Sequence, residues 1–280
     1  MNNHAPAPYL HYVLTAAEHT LTMMPTKRLT YLALFLAFSP VLIPIALLLQ
    51  SNIWAQDISG HDLFVRLAQY VYISALSPLL ALLYGAMLIG EDVETNTFSY
   101  LLTRPVPRSA WVLGKFTGFF LGGTAMMGAS LAMYFLLCTR LADFPLGASS
   151  IKTYLLYLAP MSLAIGGYGA LYMIFGALFK HPIIWGLIYT YIWQRAAIIL
   201  PGYVDFTTIE KYVSAVTPVD AKMPNLFEVL VERTGVSKFI IEIGPYTAAA
   251  TLIGFMIAAP LITAYITRHR EYTTATAASG

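Results

Sequence analysis

Three acids within four residues, Glu91, Asp92 and Glu94, followed by Arg104 and Arg108, form the densest group of reactive side chains in the sequence. Carboxylates at this spacing suit a divalent cation such as Mg²⁺ when a phosphate-rich group completes the site. They suit equally well a basic surface on another protein. Other metal or nucleophile chemistry finds little support. His4, His11, His19, His61, His181 and His269 are scattered. His11 and His19 share one helical face but lack a further ligand, and His61-Asp62 reads as a solvated pair. The one cysteine, Cys138, falls in an apolar run and offers neither a disulfide nor a thiolate metal site. Gly114-Lys115 has the end of a phosphate loop but no upstream glycine at the right spacing, and Phe116 stands where Ser or Thr is needed. The sequence therefore holds no ATP-binding loop, and no cofactor is expected in this chain.

These residues must be carried by elements embedded in lipid. The chain of 280 residues is 58% hydrophobic and 11% charged, against roughly one quarter charged in soluble domains. A net charge of +2 gives no reason to expect a nucleic-acid partner. Apolar runs near 29–49, 67–89, 116–137, 153–179, 183–200 and 245–266 contain no Asp, Glu or Lys. Each is close to the roughly 20 residues a helix needs to cross the hydrocarbon, and a helix satisfies its own backbone there. The expected fold is all-α and integral to the membrane, with six transmembrane helices in a single domain over 1–280. No cleaved signal is expected, because the first long apolar run begins only after Lys27-Arg28.

Orientation follows from basic residues in the short connections. With the N-terminus inside, the inner segments hold eight (Lys27, Arg28, Arg104, Arg108, Lys115, Lys180, Arg268, Arg270) and the short outer ones three (Arg66, Arg140, Lys152). Both termini are expected in the cytoplasm, with the protein in the plasma (inner) membrane. Residues 9–24 place Leu10, Val13, Leu14, Ala17, Leu21 and Met24 on one helical face, and Pro25 ends the helix. This is expected to be an interfacial amphipathic helix.

Residues 90–115 are too elaborate for a plain connection. Gly90 is expected to close the second span, so that Glu91, Asp92 and Glu94 begin a new helix, where its macrodipole favours anions. Thr97, Phe98, Leu101 and Leu102 add an apolar stripe, Arg104 stands near the end, and Pro105 stops the helix. Ser109 is a suitable N-cap for the helix that follows.

The run Gly90-Glu91-Asp92-Val93-Glu94-Thr95-Asn96-Thr97-Phe98-Ser99-Tyr100-Leu101-Leu102-Thr103-Arg104-Pro105-Val106-Pro107-Arg108, with Leu113-Gly114-Lys115 after it, resembles the permeases of type-2 ABC exporters. It departs from their pattern at Asn96, where many relatives carry Gly. The layout agrees as well: an N-terminal amphipathic helix, six spans, and a long outer segment before the last, in which Val216-Thr217-Pro218-Val219-Asp220 is weakly similar. The resemblance implies a permease without its own ATPase, paired with nucleotide-binding subunits that carry ATP and Mg²⁺, and forming a homodimer or a heterodimer with a second permease. It makes 90–110 a cytoplasmic coupling loop. Glu91, Asp92, Glu94, Thr97, Phe98, Leu101, Arg104 and Arg108 would meet the ATPase there, with Lys180 and His181 as a second contact.

The outer segment, 201–244, mixes six acids with four Lys or Arg and admits two short amphipathic helices, near 206–215 and 225–234. It is expected to form a lid of interfacial helices. Gly118 and Gly122, and Gly166 and Ala170, have the small-xxx-small spacing that lets helix backbones approach. Two other functions remain open on sequence alone. One is a membrane enzyme acting on a lipid phosphate through the three acids and two arginines. The other is an ion-coupled transporter, which the absence of acids from the spans disfavours.

Overall fold

The structure, a computed structural model, describes residues 9–26, 28–49, 59–94, 107–199, 203–218 and 243–269. Helix α1 (Tyr9–Met23) leads into α2 (Arg28–Phe38), which passes through one 3₁₀ turn, Ser39–Val41, into α3 (Leu42–Leu49). Pro40 and Pro44 remove backbone donors there, which is why this span is not one regular helix. The second span begins at α4 (Gly60–Leu67), capped by the Ser59 side chain, and continues through a π-helical stretch, Ala68–Leu76, into α5 (Ser77–Glu94). Two long helices follow, α6 (Arg108–Cys138) and α7 (Ala148–Leu178). Then come α8 (Pro182–Leu187), a second π stretch, Ile188–Trp193, and α9 (Gln194–Ile199). After a 3₁₀ turn, Tyr203–Thr207, α10 (Ile209–Val216) precedes the last helix, α11 (Pro245–His269). Among the described residues the only strand-like feature is one isolated bridge, Ser59 to Ala142.

Among the described residues, five helical stretches are long and apolar enough to cross a membrane: Arg28–Leu49, Gly60–Gly90, Arg108–Cys138, Ala148–Leu178 and Pro245–Arg268. Where a further crossing is expected at 183–200, the described apolar helix is shorter, Pro182–Trp193. Gln194 and Arg195 interrupt the apolar run at that point.

The bundle is closed at the Cys138 end of α6 by aromatic packing. Phe64 is fully buried and its ring centroid lies 5.6 to 5.8 Å from those of Tyr134, Phe135, Phe144 and Tyr157. Several polar groups in this region are paired, which offsets the cost of burying them. Ser130 Oγ donates to the Ala37 carbonyl at 2.6 Å and lies 2.9 Å from Tyr72 Oη. Tyr134 donates to the Leu63 carbonyl at 2.8 Å. In the π stretch, Ser77 Oγ donates to the Tyr72 carbonyl at 2.7 Å.

Segment 203–217 packs against the bundle rather than over it. Tyr189 donates to the Thr207 carbonyl at 2.9 Å, and Trp193 Nε1 donates to Thr207 Oγ1 at 3.0 Å. Ile209 and Val213 of α10 are buried, and Ile209 reaches Gly167 of α7. At 1.5 Å per residue that glycine is about 16 Å inward from the Leu178 end. The first amphipathic piece expected in 201–244 is thus α10, wedged against α7 and α11. The second, near 225–234, lies outside the described residues.

Candidate functional site

The site is built at the start of α6, where four other elements converge. The first is α1. Tyr9 Oη donates to Ser109 Oγ at 3.0 Å, and from there α1 runs along α6 in the same direction. A side chain at Gly114 would put its Cβ 2.5 Å from both the Val13 carbonyl and the Ala16 Cβ. At Gly118 it would meet the Ala17 carbonyl at 2.7 Å, and at Gly122 the Met24 sulfur at 2.7 Å. The small-xxx-small stripe in α6, extended one step to Gly114, is therefore the seat of α1. The apolar stripe of α1 is divided by this docking. Ala17 turns inward, with Ala16 beside it, while Leu10 and Leu14 stay exposed at 64% and 58%.

The second element is α5. It runs unbroken through Gly90 to Glu94, so Glu91, Asp92 and Glu94 occupy the last turn of a helix and do not begin one. One glycine costs a helix only about 1 kcal/mol, and no proline stands between Leu88 and Glu94 to end it. Lys115 brings a cation to that end of α5, where it complements the helix macrodipole. Its Nζ donates to the Leu88 carbonyl at 3.0 Å and lies 5.3 Å from the ring centroid of Trp111. The lysine of the Gly-Lys pair is thus a link between α6 and α5, and the glycine is a seat for α1.

The third element is the turn before α8. A Cβ on Gly90 would lie 3.8 Å from Pro182 Cγ, so the Lys180-His181-Pro182 turn abuts the end of α5. Lys180 and His181 are both exposed. Two segments about ninety residues apart in sequence therefore share one end of the bundle. The fourth element is α11. Arg108 Nη1 donates to the carbonyls of Thr267, at 3.1 Å, and Arg268, at 3.3 Å. Thr97, Phe98, Leu101 and Arg104 lie outside the described residues, as do the side chains of Glu91, Asp92 and Glu94.

Spacing revealed the glycine stripe and the basic residues, but not their contacts. The Arg108 contact joins residues 159 apart and leaves no local trace. The Tyr168–Gln194 pair follows no spacing pattern in the sequence. Gln194 Nε2 donates to Tyr168 Oη at 2.8 Å, and both side chains are buried. The one available signal was the polar Gln194 inside an apolar run.

The described residues are helical and hold five apolar helices of membrane-spanning length, so the chain is a multi-pass membrane protein. Residues 26–196 match the family described as ABC-2 family transporter protein. The match covers more than half of the chain, and the protein belongs to that family: it is a membrane permease component of an ABC transporter. The family works with ATP-binding subunits and is a transport component, not a catalyst. No curated protein matches the sequence.

Proposed function

We propose that this chain is the membrane-spanning subunit of an ABC exporter and that a separate ATPase docks on its basic end. The observation that carries this reading is the meeting of the two docking segments. The end of α5, which leads into the coupling loop, abuts the Lys180-His181-Pro182 turn. One soluble domain can cover both. In this reading 90–110 is the coupling loop. Glu91, Asp92, Glu94, Thr97, Phe98, Leu101 and Arg104 face the ATPase, with Lys180 and His181 beside them. The helix over 182–199 serves as the fifth of six crossings, and both termini are cytoplasmic at the plasma membrane. The exposed leucines of α1 rest in the interfacial region. Two permeases act with two ATPase subunits.

Phe98 is the anchor to remove. Truncating a buried interface aromatic costs about 2 kcal/mol or more, roughly thirtyfold in affinity. Phe98→Ala should therefore release the ATPase during mild-detergent purification while membrane expression stays at the unmodified level. Glu91→Gln, at an exposed rim, should do much less. Unchanged ATPase recovery with Phe98→Ala would remove the coupling loop from the interface.

A further inference from the structure

We propose that Arg108 is a positioning residue that fastens the exit of the coupling loop to the last helix, so that α6 and the inner end of α11 move as one body. This rests on the docking reading above. The last four carbonyls of a helix have no intrahelical donor. In α11 two of them, Thr267 and Arg268, are taken by one guanidinium group reaching across from the first residue of α6. A cation at that end also complements the macrodipole. The contact has a purpose beyond capping, because its two partners lead to opposite parts of the molecule. Arg108 stands two residues beyond the end of the 95–106 stretch that enters α6. Helix α11 runs from that contact past Met256, which packs at Gly166, to Leu252, which packs at Gly167 beside Ile209 of α10. Arg108, α11 and α10 thus form one continuous path of contacts from the start of α6 to the segment wedged against α7 and α11. Thr263 and Thr267 bond back to carbonyls of their own helix, at 2.9 and 3.0 Å. They hold their hydroxyls within α11 and leave the crossing to Arg108.

The assignment separates Arg108 from Phe98. A docking residue controls how much ATPase is bound, whereas a fastening residue controls what bound ATPase achieves. The test uses the full chain with its ATPase in nanodiscs, comparing Arg108→Gln, Arg108→Lys and Phe98→Ala. Two readings are taken. Hydrogen exchange over 264–269 reports the fastening itself and needs no ATPase. A single cysteine at Thr247, in a Cys138→Ser background, reports whether ATP changes labelling at the far end of α11. Arg108→Gln should raise exchange over 264–269 about tenfold and abolish the ATP-dependent change at 247, with ATPase recovery unaltered. Arg108→Lys, which keeps a cation but carries it on a flexible four-carbon stem without the planar guanidinium, should fall between. Unchanged exchange in Arg108→Gln, or an intact ATP response at 247, overturns the inference. Loss of ATPase to the Phe98→Ala level overturns it too, by making Arg108 a docking contact. If the unmodified chain recovers no ATPase, the docking reading fails, while the exchange result still decides whether Arg108 holds α11.

Discussion

The two ends of α6 are held by opposite means. Toward Cys138 the helix is packed by large rings, and its polar groups pair through short side chains: Tyr72 with Ser130, Ser130 with Ala37, Tyr134 with Leu63. Toward Arg108 it presents glycines, so that the backbone of α1 lies against its own, and long cationic arms reach carbonyls on α5 and α11. Aromatic packing fixes an arrangement because any shift opens a cavity. A glycine seam offers little to interlock, and a lysine or arginine can follow a moving carbonyl through several rotatable bonds. The contrast leaves one end locked by packing and the other able to adjust.

The largest effect is expected at the anchored end. Phe64→Ala removes the ring around which four others gather, and truncations of this kind cost about 3–5 kcal/mol in soluble cores. In lipid the transfer contribution shrinks, because the surroundings are as apolar as the side chain, so a loss of about 2–3 kcal/mol is expected. It should appear as a lower midpoint in thermal unfolding in detergent, with ATPase recovery per folded molecule unchanged. Loss of ATPase in step with the damage would break the division between the two ends.

Next comes the seam. Gly118→Leu forces a side chain onto the backbone of Ala17 and the Cβ of Thr20, neither of which can step aside as a flexible side chain can. Overpacking of this kind costs about 1–3 kcal/mol. It should displace α1 rather than unfold the bundle, so limited proteolysis should cleave within 9–23 while the α6–α7 fragment survives. A global fall in unfolding temperature with α1 still protected would show that the seam is an anchor like the aromatic end. The smallest effect on stability is expected at Lys115. Replacing it by Met keeps the stem and removes the charge-assisted bond to Leu88, a loss of about 1–2 kcal/mol. The stimulation of ATP hydrolysis by transport substrate should fall much further than the unfolding midpoint. Equal losses in both would leave Lys115 a purely structural link.

Much of this was legible in the sequence, and the exceptions have physical causes. Span positions follow from the exclusion of charge from hydrocarbon, which acts on composition and so can be counted. The 183–200 run shows the limit, since its described apolar helix stops where Gln194 enters, and Gln194 is satisfied by a tyrosine 26 residues away. The acids at 91, 92 and 94 suit a helix N-terminus by charge, yet they belong to α5, because a single glycine at position 90 is not enough to stop the helix there. Gly118 and Gly122 announced a close approach without naming the approaching helix. The depth of α10 was invisible for a different reason: a short amphipathic helix has the same pattern whether its apolar face meets lipid or the side of a bundle.

The π-helical stretches, Ala68–Leu76 and Ile188–Trp193, carry a consequence for motion. Each is wound more loosely than its flanks, so each stores spare chain within a helix that otherwise has none to give. When a π turn shifts along its helix, only the residues it passes rotate, by about 100°, and advance, by about 1.5 Å. Such a slip breaks no span and lengthens no connection. It turns one row of side chains away from a neighbour and brings the next row round, so a crossing can change the face it shows while both its ends stay moored.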